Sequence, residues 1–331
     1  MEVKDYLIRA ARKTYRTVTN KKFYGPECDC DRQSSNDKIY NLLSTGMPCM
    51  IARFGTTEIN CINNYLCVHN SDSLWRKVLL YITDNTHTPW WNTDHFKTMS
   101  IYSGIFPVGQ ETAERFSQQY LNDTPEIDLL ACHQYYEKFM PLRSDVQRIQ
   151  LEMLYPFFVE RPWTRILQGK KVLVIHPFVD TIKSQYEKRR HLFDNPNILP
   201  DFELKTIKAV QTVAGSESEF KSWFDALAYM EEQINSIDFD IAIIGCGAYG
   251  LPLAAHVKRL GKQAIHSAGG TQLLFGIKGR RWLEDYQGYW HYRPDVDIDI
   301  NYRQLFNEYW AFPGESEKPK NADKVENACY W

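Results

Sequence analysis

The sequence predicts an α/β fold, a doubly wound and mostly parallel Rossmann-like sheet with helices on both faces. Three observations lead to this prediction. Short apolar segments typical of buried strands alternate with segments of helical periodicity. Two of these strands end directly in glycine-rich turns. One segment of the chain has the order strand, glycine turn, helix, strand. This is the order of a βαβ unit, whose strands are parallel. The predicted strands are 49–54, 171–176, 203–211, 240–244 and 263–266.

Composition limits the class of protein. The chain has 331 residues, of which 44% are hydrophobic and 24% charged, as in a globular protein with an ample core. A formal net charge of −2 gives no basic field that would indicate nucleic acid as a partner. Without a long apolar run or a signal-peptide core, we expect a cytoplasmic protein. The eight scattered cysteines lack zinc-site spacing and are expected to be reduced thiols.

Residues 1–36 are predicted as an N-terminal helix and loop ahead of a single α/β domain, 37–331. The helix, within 1–22, is basic and amphipathic, and 24–36 has the composition of a loop. Such a helix can contact an anionic membrane surface, here the inner face of the cell membrane, or pack its apolar face on its own domain. Both interpretations stay open.

The strand over 49–54 ends at Arg53 and Gly55, and a helix from Thr56 to about Leu66 follows. Glu58 lies in the first turn of this helix, where a carboxylate interacts favourably with the helix dipole. Arg53 and Glu58 are also at the carboxyl end of a strand, the edge where open α/β sheets bind ligands. They are therefore candidate catalytic residues.

An aromatic-rich helical insertion is predicted over about 72–143, with helices near 73–83 and 110–121 and a further strand at 128–132. Aromatic side chains with polar ends can stack on sugar rings or bases. We expect most of these rings to be in the core.

The clearest strand, 171–176, ends at His176 and is followed by a helical pattern over 179–193. His176 is aimed at the same sheet edge, where it would contact substrate or form a structural hydrogen bond. Gln185 and Arg189, on or near the polar face of the helix, are candidate substrate-binding residues.

The segment 240–266 is the βαβ unit with a G-x-G-x-x-G turn, Gly245, Gly247 and Gly250. Glycines there can bring backbone N–H groups and a helix N-terminus to a phosphate, or can simply permit close packing of helix and strand. An NAD site requires an acidic residue about 20 residues further on, at the end of the second strand. None is present at 266–270, which disfavours NAD.

A second glycine turn and a basic segment follow at 269–282. The cations there would neutralise a diphosphate or form a solvated loop. The candidate donor-binding residues of this segment are Gly269, Gly270, Gln272, Lys278 and Arg281.

The stretch Arg53-Phe54-Gly55-Thr56-Thr57-Glu58 resembles the Arg-x-Gly-Asp-Gly-Glu segment of GT-D-fold glycosyltransferases, a bacterial family that builds surface glycans such as capsule. The segments 171–178 with Gln185 and Arg189, 269–282 and 329–331 resemble proteins encoded beside capsule and exopolysaccharide genes. The resemblance spans most of 49–331, but only Arg53–Glu58 matches a characterised motif.

The resemblance implies a nucleotide-sugar donor, most often a UDP-sugar, and a glycan or lipid-linked glycan acceptor. In the family the Asp-x-Glu pair is tied to a divalent metal, Mn²⁺ or Mg²⁺. Thr56 replaces that aspartate here while Glu58 remains. A hydroxyl is a weaker ligand than a carboxylate, so a metal requirement is not established by the motif.

The leading hypothesis is a glycosyltransferase of surface-polysaccharide biosynthesis. Glu58 would bind metal or act as base on the acceptor, and Arg53, Lys278 and Arg281 would stabilise the diphosphate leaving group. His176, Gln185 and Arg189 would contact substrate. The residues expected to permit backbone approach to the donor are Gly55, Gly245, Gly247, Gly250, Gly269 and Gly270.

Two alternatives are retained. One is an NAD(P)- or S-adenosylmethionine-dependent enzyme that uses the glycine turn at 245–250. The other is a non-catalytic scaffold that binds glycans or nucleotides and recruits partners through its basic N-terminal helix.

Overall fold

The structure, a computed structural model, describes residues 3–215, 218–283, 300–324 and 328–331. These residues form a single seven-stranded sheet in which all pairings are parallel. The strands are β1 (Cys49–Ala52), β2 (Leu129–Cys132), β3 (Gln147–Gln150), β4 (Lys171–His176), β5 (Glu203–Lys208), β6 (Ile241–Ile244) and β7 (Gln263–His266). Their order across the sheet is β3-β2-β1-β7-β6-β4-β5. The predicted parallel α/β class is therefore confirmed.

Helices connect the strands. In chain order they are α1 (Val3–Thr19), α2 (Arg32–Ser44), α3 (Thr56–His69), α4 (Leu74–Ile82), α5 (Thr93–Ser103), α6 (Gln110–Asp123), α7 (Val179–Glu187), α8 (Trp223–Asn235), α9 (Gly250–Arg259), α10 (Gly269–Leu274) and α11 (Arg280–Leu283). Short 3₁₀ turns lie between several of them.

The sheet is covered on both faces. Alternate residues of a strand point to opposite sides, so Met50 and Ala52 of β1 join one apolar cluster and Cys49 and Ile51 join the other. The first cluster contains residues of α3, α5, α6, α8 and α9, and the second those of α2, α7 and α10. This double burial explains the uninterrupted apolar character of the inner strands.

The predicted strands 49–54 and 203–211 end earlier, at Ala52 and Lys208, and three further predicted elements differ from the structure. The loop predicted over 24–36 is wrong in its last part, because α2 begins at Arg32, where the Asp31 side chain accepts a hydrogen bond from the Ser34 amide. The domain boundary placed at residue 36 falls inside this helix. Helical spacing also predicts a helix over 217–236, and the structure has α8 over Trp223–Asn235, capped by Ser222. The helical pattern over 179–193 ends as α7 at Glu187 and continues in a 3₁₀ turn.

The N-terminal helix is held by its cations. Arg12 and Arg16 of α1 both form ion pairs with Asp84, whose side chain is fully buried, and Lys21 donates to the Thr83 carbonyl. Although burial opposes it, the hydrogen bonds and charges of the two arginines hold the pKa of Asp84 below its usual value. The helix predicted within 1–22 is thus present, and its arginine side faces the protein.

No helix among the described residues combines the length and the apolar character that crossing a membrane requires.

Candidate functional site

The carboxyl ends of the parallel strands lie at one edge of the sheet, and polar side chains collect there. Arg53 follows β1, His133 follows β2, Glu152 lies just after β3, and His266 ends β7. Because β1 is flanked by β2 and β7, these side chains come from neighbouring strand ends. We call Arg53, His133, Glu152 and His266, together with Tyr155 and Arg281, the cleft cluster.

Arg53 connects the members of this cluster. Its Nη2 atom lies 3.4 Å from Nε2 of His133, and among the described residues this is the one hydrogen bond of the Arg53 side chain. The side chain is half-buried. Since a guanidinium carries five N–H donors, Arg53 has donors left to bind an anion at the sheet edge.

Glu152 is the carboxyl group of the cluster. Burial raises the pKa of Glu152 to about 7, although a hydrogen bond from the Tyr302 hydroxyl and the positive charges of Arg281 and Arg53 act in the opposite direction. A carboxyl group with this pKa is present in both acid and base forms near neutral pH, which suits proton transfer.

The two histidines of the cluster are uncharged at neutral pH. Burial, reinforced by the positive charge of Arg53, lowers the pKa of His266 to about 3. Burial also lowers the pKa of His133, with Arg53 acting in the same direction and Glu137 opposing it. The histidines therefore add no positive charge, and Arg53 and Arg281 are the cations of the cluster.

Tyr155 forms one wall of the cluster and explains a predicted glycine. A Cβ atom at Gly270 would lie 2.1 Å from the Tyr155 ring, so the ring can occupy its place only because residue 270 is glycine. The Tyr155 and Tyr302 ring centres are 6.2 Å apart. Gly270 thus makes room for the Tyr155 ring among the charged groups of the cluster.

Arg281 reaches the cluster from the segment after β7. Its Nη1 atom donates to the Tyr330 hydroxyl at 2.7 Å, and its guanidinium lies 4.6 Å from the centre of the same ring. Gln272, a predicted donor-binding residue, donates to the backbone carbonyls of Lys278 and Tyr330. These contacts fix the C-terminal segment against α10, and they use the Gln272 amide for structure.

The glycine turn after β6 is closely packed. A Cβ at Gly245 would lie 2.7 Å from atoms of both His176 and Thr271, and a Cβ at Gly250 would lie 2.1 Å from the His266 ring. Protein side chains therefore occupy the space that these two glycines leave. This geometry favours close packing, one of the two interpretations of the motif.

Gly247, the middle glycine, has a φ of +58° and open space around its Cβ position. Glycine suits this left-handed backbone. Beside it, Tyr249 stacks on Trp223 with ring centres 4.8 Å apart.

His176 is buried beneath this turn. Its Nδ1 atom accepts a hydrogen bond from the Phe178 amide at 3.0 Å, and burial lowers its pKa to about 3. The ring is thus neutral and held in place at the strand end. Its predicted role toward substrate stays a prediction.

Gln185 and Arg189 bind protein groups. The buried Gln185 amide donates to the carbonyls of Gly276 and Tyr309, and Arg189 pairs with Asp201. The structure places both on α7 or just after it, and their predicted substrate contacts stay predictions.

Glu58 lies in the first turn of α3, folded back over Gly55. A Cβ at Gly55 would overlap the Glu58 carboxylate, so this glycine makes room for the side chain. Glu58 is buried and lies near Tyr120, whose buried hydroxyl donates a hydrogen bond to the Ala248 carbonyl. Among the described residues we find no hydrogen bond of the Glu58 carboxylate.

The structure therefore brings together only some of the predicted residues. Arg53, Gly270 and Arg281 meet in or beside the cleft cluster, whereas Lys278 lies with its Nζ atom 5.8 Å from the centre of the Phe306 ring. Gly269 lies beside them, in contact distance of Trp282 and Tyr330 at its Cβ position.

Sequence reasoning missed Glu152, Tyr155, His133 and Tyr302. The available signal was Glu152 itself, a single carboxylate in the apolar run after Gln150. Glu152 could not be placed at a strand end, because the preceding strand β3, with the sequence QRIQ, lacks the apolar pattern that predicts a buried strand.

The family resemblance implies a divalent metal, and that cofactor stays a prediction. Glu58 has Thr56 where the family has a second carboxylate, and the described residues contain no group of three or more His, Cys, Asp or Glu that would hold a metal ion. We therefore derive no step through a metal.

Comparisons of the chain with protein-family models, with curated proteins and with solved structures gave no match.

Proposed function

We propose that this protein is a glycosyltransferase that moves a sugar from a nucleotide-sugar donor, in the first place a UDP-sugar, to a glycan or lipid-linked glycan acceptor of a surface polysaccharide. The finer assignment of the sheet to the GT-D fold belongs to the same proposal. It is supported by the resemblance of Arg53–Glu58 and by the position of this segment at the end of β1.

The observation that carries the proposal is the charge arrangement of the cleft cluster. Two arginines, Arg53 and Arg281, act electrostatically on the carboxyl group of Glu152 at the ligand-binding edge of a parallel sheet. Nucleotide-sugar transfer requires cations for a diphosphate leaving group and a base for an acceptor hydroxyl. The cluster contains both kinds of group.

In the proposed reaction the acceptor oxygen forms a bond to the anomeric carbon of the sugar. The bond between that carbon and the diphosphate oxygen breaks, and the nucleoside diphosphate leaves with the electron pair. Arg53 and Arg281 stabilise the charge that develops on the leaving oxygen. The Glu152 carboxylate takes the proton of the acceptor hydroxyl, and Tyr302 orients that carboxylate.

Aromatic side chains next to the charged groups support a sugar-containing ligand. Tyr155 belongs to the cleft cluster and lies beside Gly270, and Tyr330 borders the cluster at Arg281. Rings with a polar end can stack on a base or a sugar while hydrogen-bonding its hydroxyl groups.

The test is a thermal-shift screen of the purified protein with UDP, GDP, CMP, their common sugar conjugates, NAD(P) and S-adenosylmethionine, each with and without manganese. A ligand that binds only the native state raises the unfolding midpoint. We expect a rise with a nucleoside diphosphate in the wild type and a smaller rise in Arg53→Gln and Arg281→Gln.

The matched control is Arg190→Gln, which removes an exposed arginine that pairs with Asp201 outside the cluster. It should bind nucleotide as the wild type does. A rise only with NAD(P) or S-adenosylmethionine would overturn the proposal in favour of an enzyme using the turn at 245–250. Glycan or nucleotide binding without any sugar release would instead favour a non-catalytic scaffold.

A further inference from the structure

The helix α1 is oriented with its apolar side outward. Tyr6, Leu7 and Val18 are 66%, 61% and 78% exposed, whereas Arg12 is half-buried and paired with Asp84. Burying apolar residues and exposing charged ones is the usual arrangement of a surface helix. The inverted arrangement here leaves an apolar helix face without a partner among the described residues.

The helix α4, which contacts α1, has the same inverted arrangement. Leu74, Trp75 and Leu79 are 65%, 85% and 60% exposed, while Lys77 and Tyr81 are buried. The two helices meet where the Arg12 guanidinium lies 4.2 Å from the centre of the Tyr81 ring. Adjacent apolar faces of this kind mark an interaction surface.

Cations accompany these faces. Lys13 and Lys22 are exposed on and after α1, and Arg76 is exposed on α4, where it pairs with Asp72. Arg12, Arg16 and Lys21 bind Asp84 and the Thr83 carbonyl instead, so Lys13, Lys22 and Arg76 supply the positive charge beside the apolar faces. The surface is therefore apolar with a basic margin.

We propose that the outward faces of α1 and α4, here named the α1–α4 surface, dock on an anionic lipid bilayer. Trp75 and Tyr6 would lie at the level of the headgroups, Leu7 and Leu79 would enter the acyl boundary, and Lys13 would extend to the lipid phosphates. The proposal is independent of the glycosyltransferase assignment. It also differs from a helix that binds lipid through its arginines, because Arg12 and Arg16 hold Asp84.

Charge favours lipid over a second copy of the chain. Two α1–α4 surfaces placed face to face would bring Lys13 and Lys22 of both copies together, and like charges across an interface oppose association. An anionic bilayer complements the same charges.

Co-sedimentation with vesicles tests the proposal on the full-length protein. Vesicles of phosphatidylcholine alone and of phosphatidylcholine with phosphatidylglycerol would be compared. We expect binding to the mixed vesicles, about fivefold weaker in Lys13→Gln, and at least about tenfold weaker in the double variant Trp75→Gln and Leu79→Gln. These side chains are exposed, and circular dichroism would verify that each variant folds.

The matched control is Tyr229→Gln, which removes an exposed aromatic ring from α8. It should bind the mixed vesicles like the wild type. Absence of vesicle binding, or an equal loss in Tyr229→Gln, would overturn the proposal. So would a dimer in analytical ultracentrifugation that Trp75→Gln dissociates without any binding to lipid.

Discussion

The glycine turn after β6 and the glycine pair after β7 lie at adjacent strand ends, but different side chains surround them. Around the β6 turn are neutral groups, the rings of His176 and His266 and the hydroxyl of Thr271. Gly270 after β7 is beside Tyr155, whose ring borders charged groups.

The two turns show that a glycine motif alone does not identify a ligand site. Glycine at a strand end indicates that something approaches the backbone closely, and in both turns the structure shows that a protein ring does so. The charged groups nearby distinguish the turns. Since Arg53, Arg281 and Glu152 collect toward the β7 side, we expect ligand binding to depend on that turn and folding stability to depend on the β6 turn.

The largest expected effect is on catalysis by the charged groups on the β7 side. Glu152→Gln should lower the rate of nucleotide-sugar turnover by about 10²–10⁴-fold, since the acceptor loses its base. The measurement is release of nucleoside diphosphate from the donor identified in the thermal-shift screen, with the exposed Glu203→Gln as control. Glu58→Gln, assayed beside it, decides which carboxylate is the base. Complete loss of turnover in Glu58→Gln, together with normal turnover in Glu152→Gln, would assign the base to Glu58 instead.

A smaller effect tests the two glycines directly. Gly250→Ala should lower the free energy of unfolding by about 2–3 kcal/mol, because its Cβ would collide with the fully enclosed His266 ring. Gly270→Ala should lower the free energy of unfolding by only about 1 kcal/mol, since Tyr155 is half-buried and its ring can shift, but it should weaken nucleotide binding. Urea unfolding and the thermal shift with nucleotide measure the two effects.

Gly109→Ala is the control for both, because a Cβ there meets nothing within 4 Å and the backbone is extended. If Gly250→Ala lowered nucleotide binding without loss of stability, the β6 turn would be the binding turn and the comparison would be reversed.

The pH dependence of stability tests the protonation of Glu152. The pKa of Glu152 is about 7 in the folded protein against 4.5 for the free side chain, so between these values the folded state holds more protons than the unfolded state. Wild-type stability should therefore fall relative to Glu152→Gln as the pH rises from 4.5 to 7, by no more than about 3 kcal/mol.

In both wild type and Glu152→Gln, His176 and His266 change the free energy of unfolding with pH in the opposite direction. Their pKa values of about 3 give stability that is present above pH 6.5 and lost as the pH falls toward 3. They cancel in the difference between wild type and Glu152→Gln, which urea unfolding across this pH range measures. A difference that does not vary with pH would show that the Glu152 carboxyl has an ordinary pKa.

Two strands with an apolar pattern were predicted from the sequence to the residue. The predictions for β4 and β7 match the structure, because an uninterrupted apolar run bounded by glycine or polar residues leaves little choice of limits. β3 was missed because an edge strand buries fewer side chains, and its pattern is correspondingly polar.

The candidate site was less predictable for a related reason. Arg53 could be placed from its position after an apolar strand, whereas Glu152 depends on β3 and its partner Tyr302 lies 150 residues further on. Likewise, the outward apolar face of α1 could not be predicted, since it results from the pairing of Arg12 and Arg16 with Asp84, a partner distant in the sequence.

Asp84 has a practical consequence for any experiment on the N-terminal helix. Its carboxylate is fully buried and accepts hydrogen bonds from Arg12 and Arg16. Deleting residues 1–22 would leave an unpaired negative charge in the protein interior, at a cost of about 3–5 kcal/mol. A truncated chain that no longer binds vesicles or substrate would therefore report a damaged fold. Point substitutions on the outward side of the helix leave the ion pairs with Asp84 intact. They therefore change what the helix contacts outside the protein without removing the contacts that anchor it.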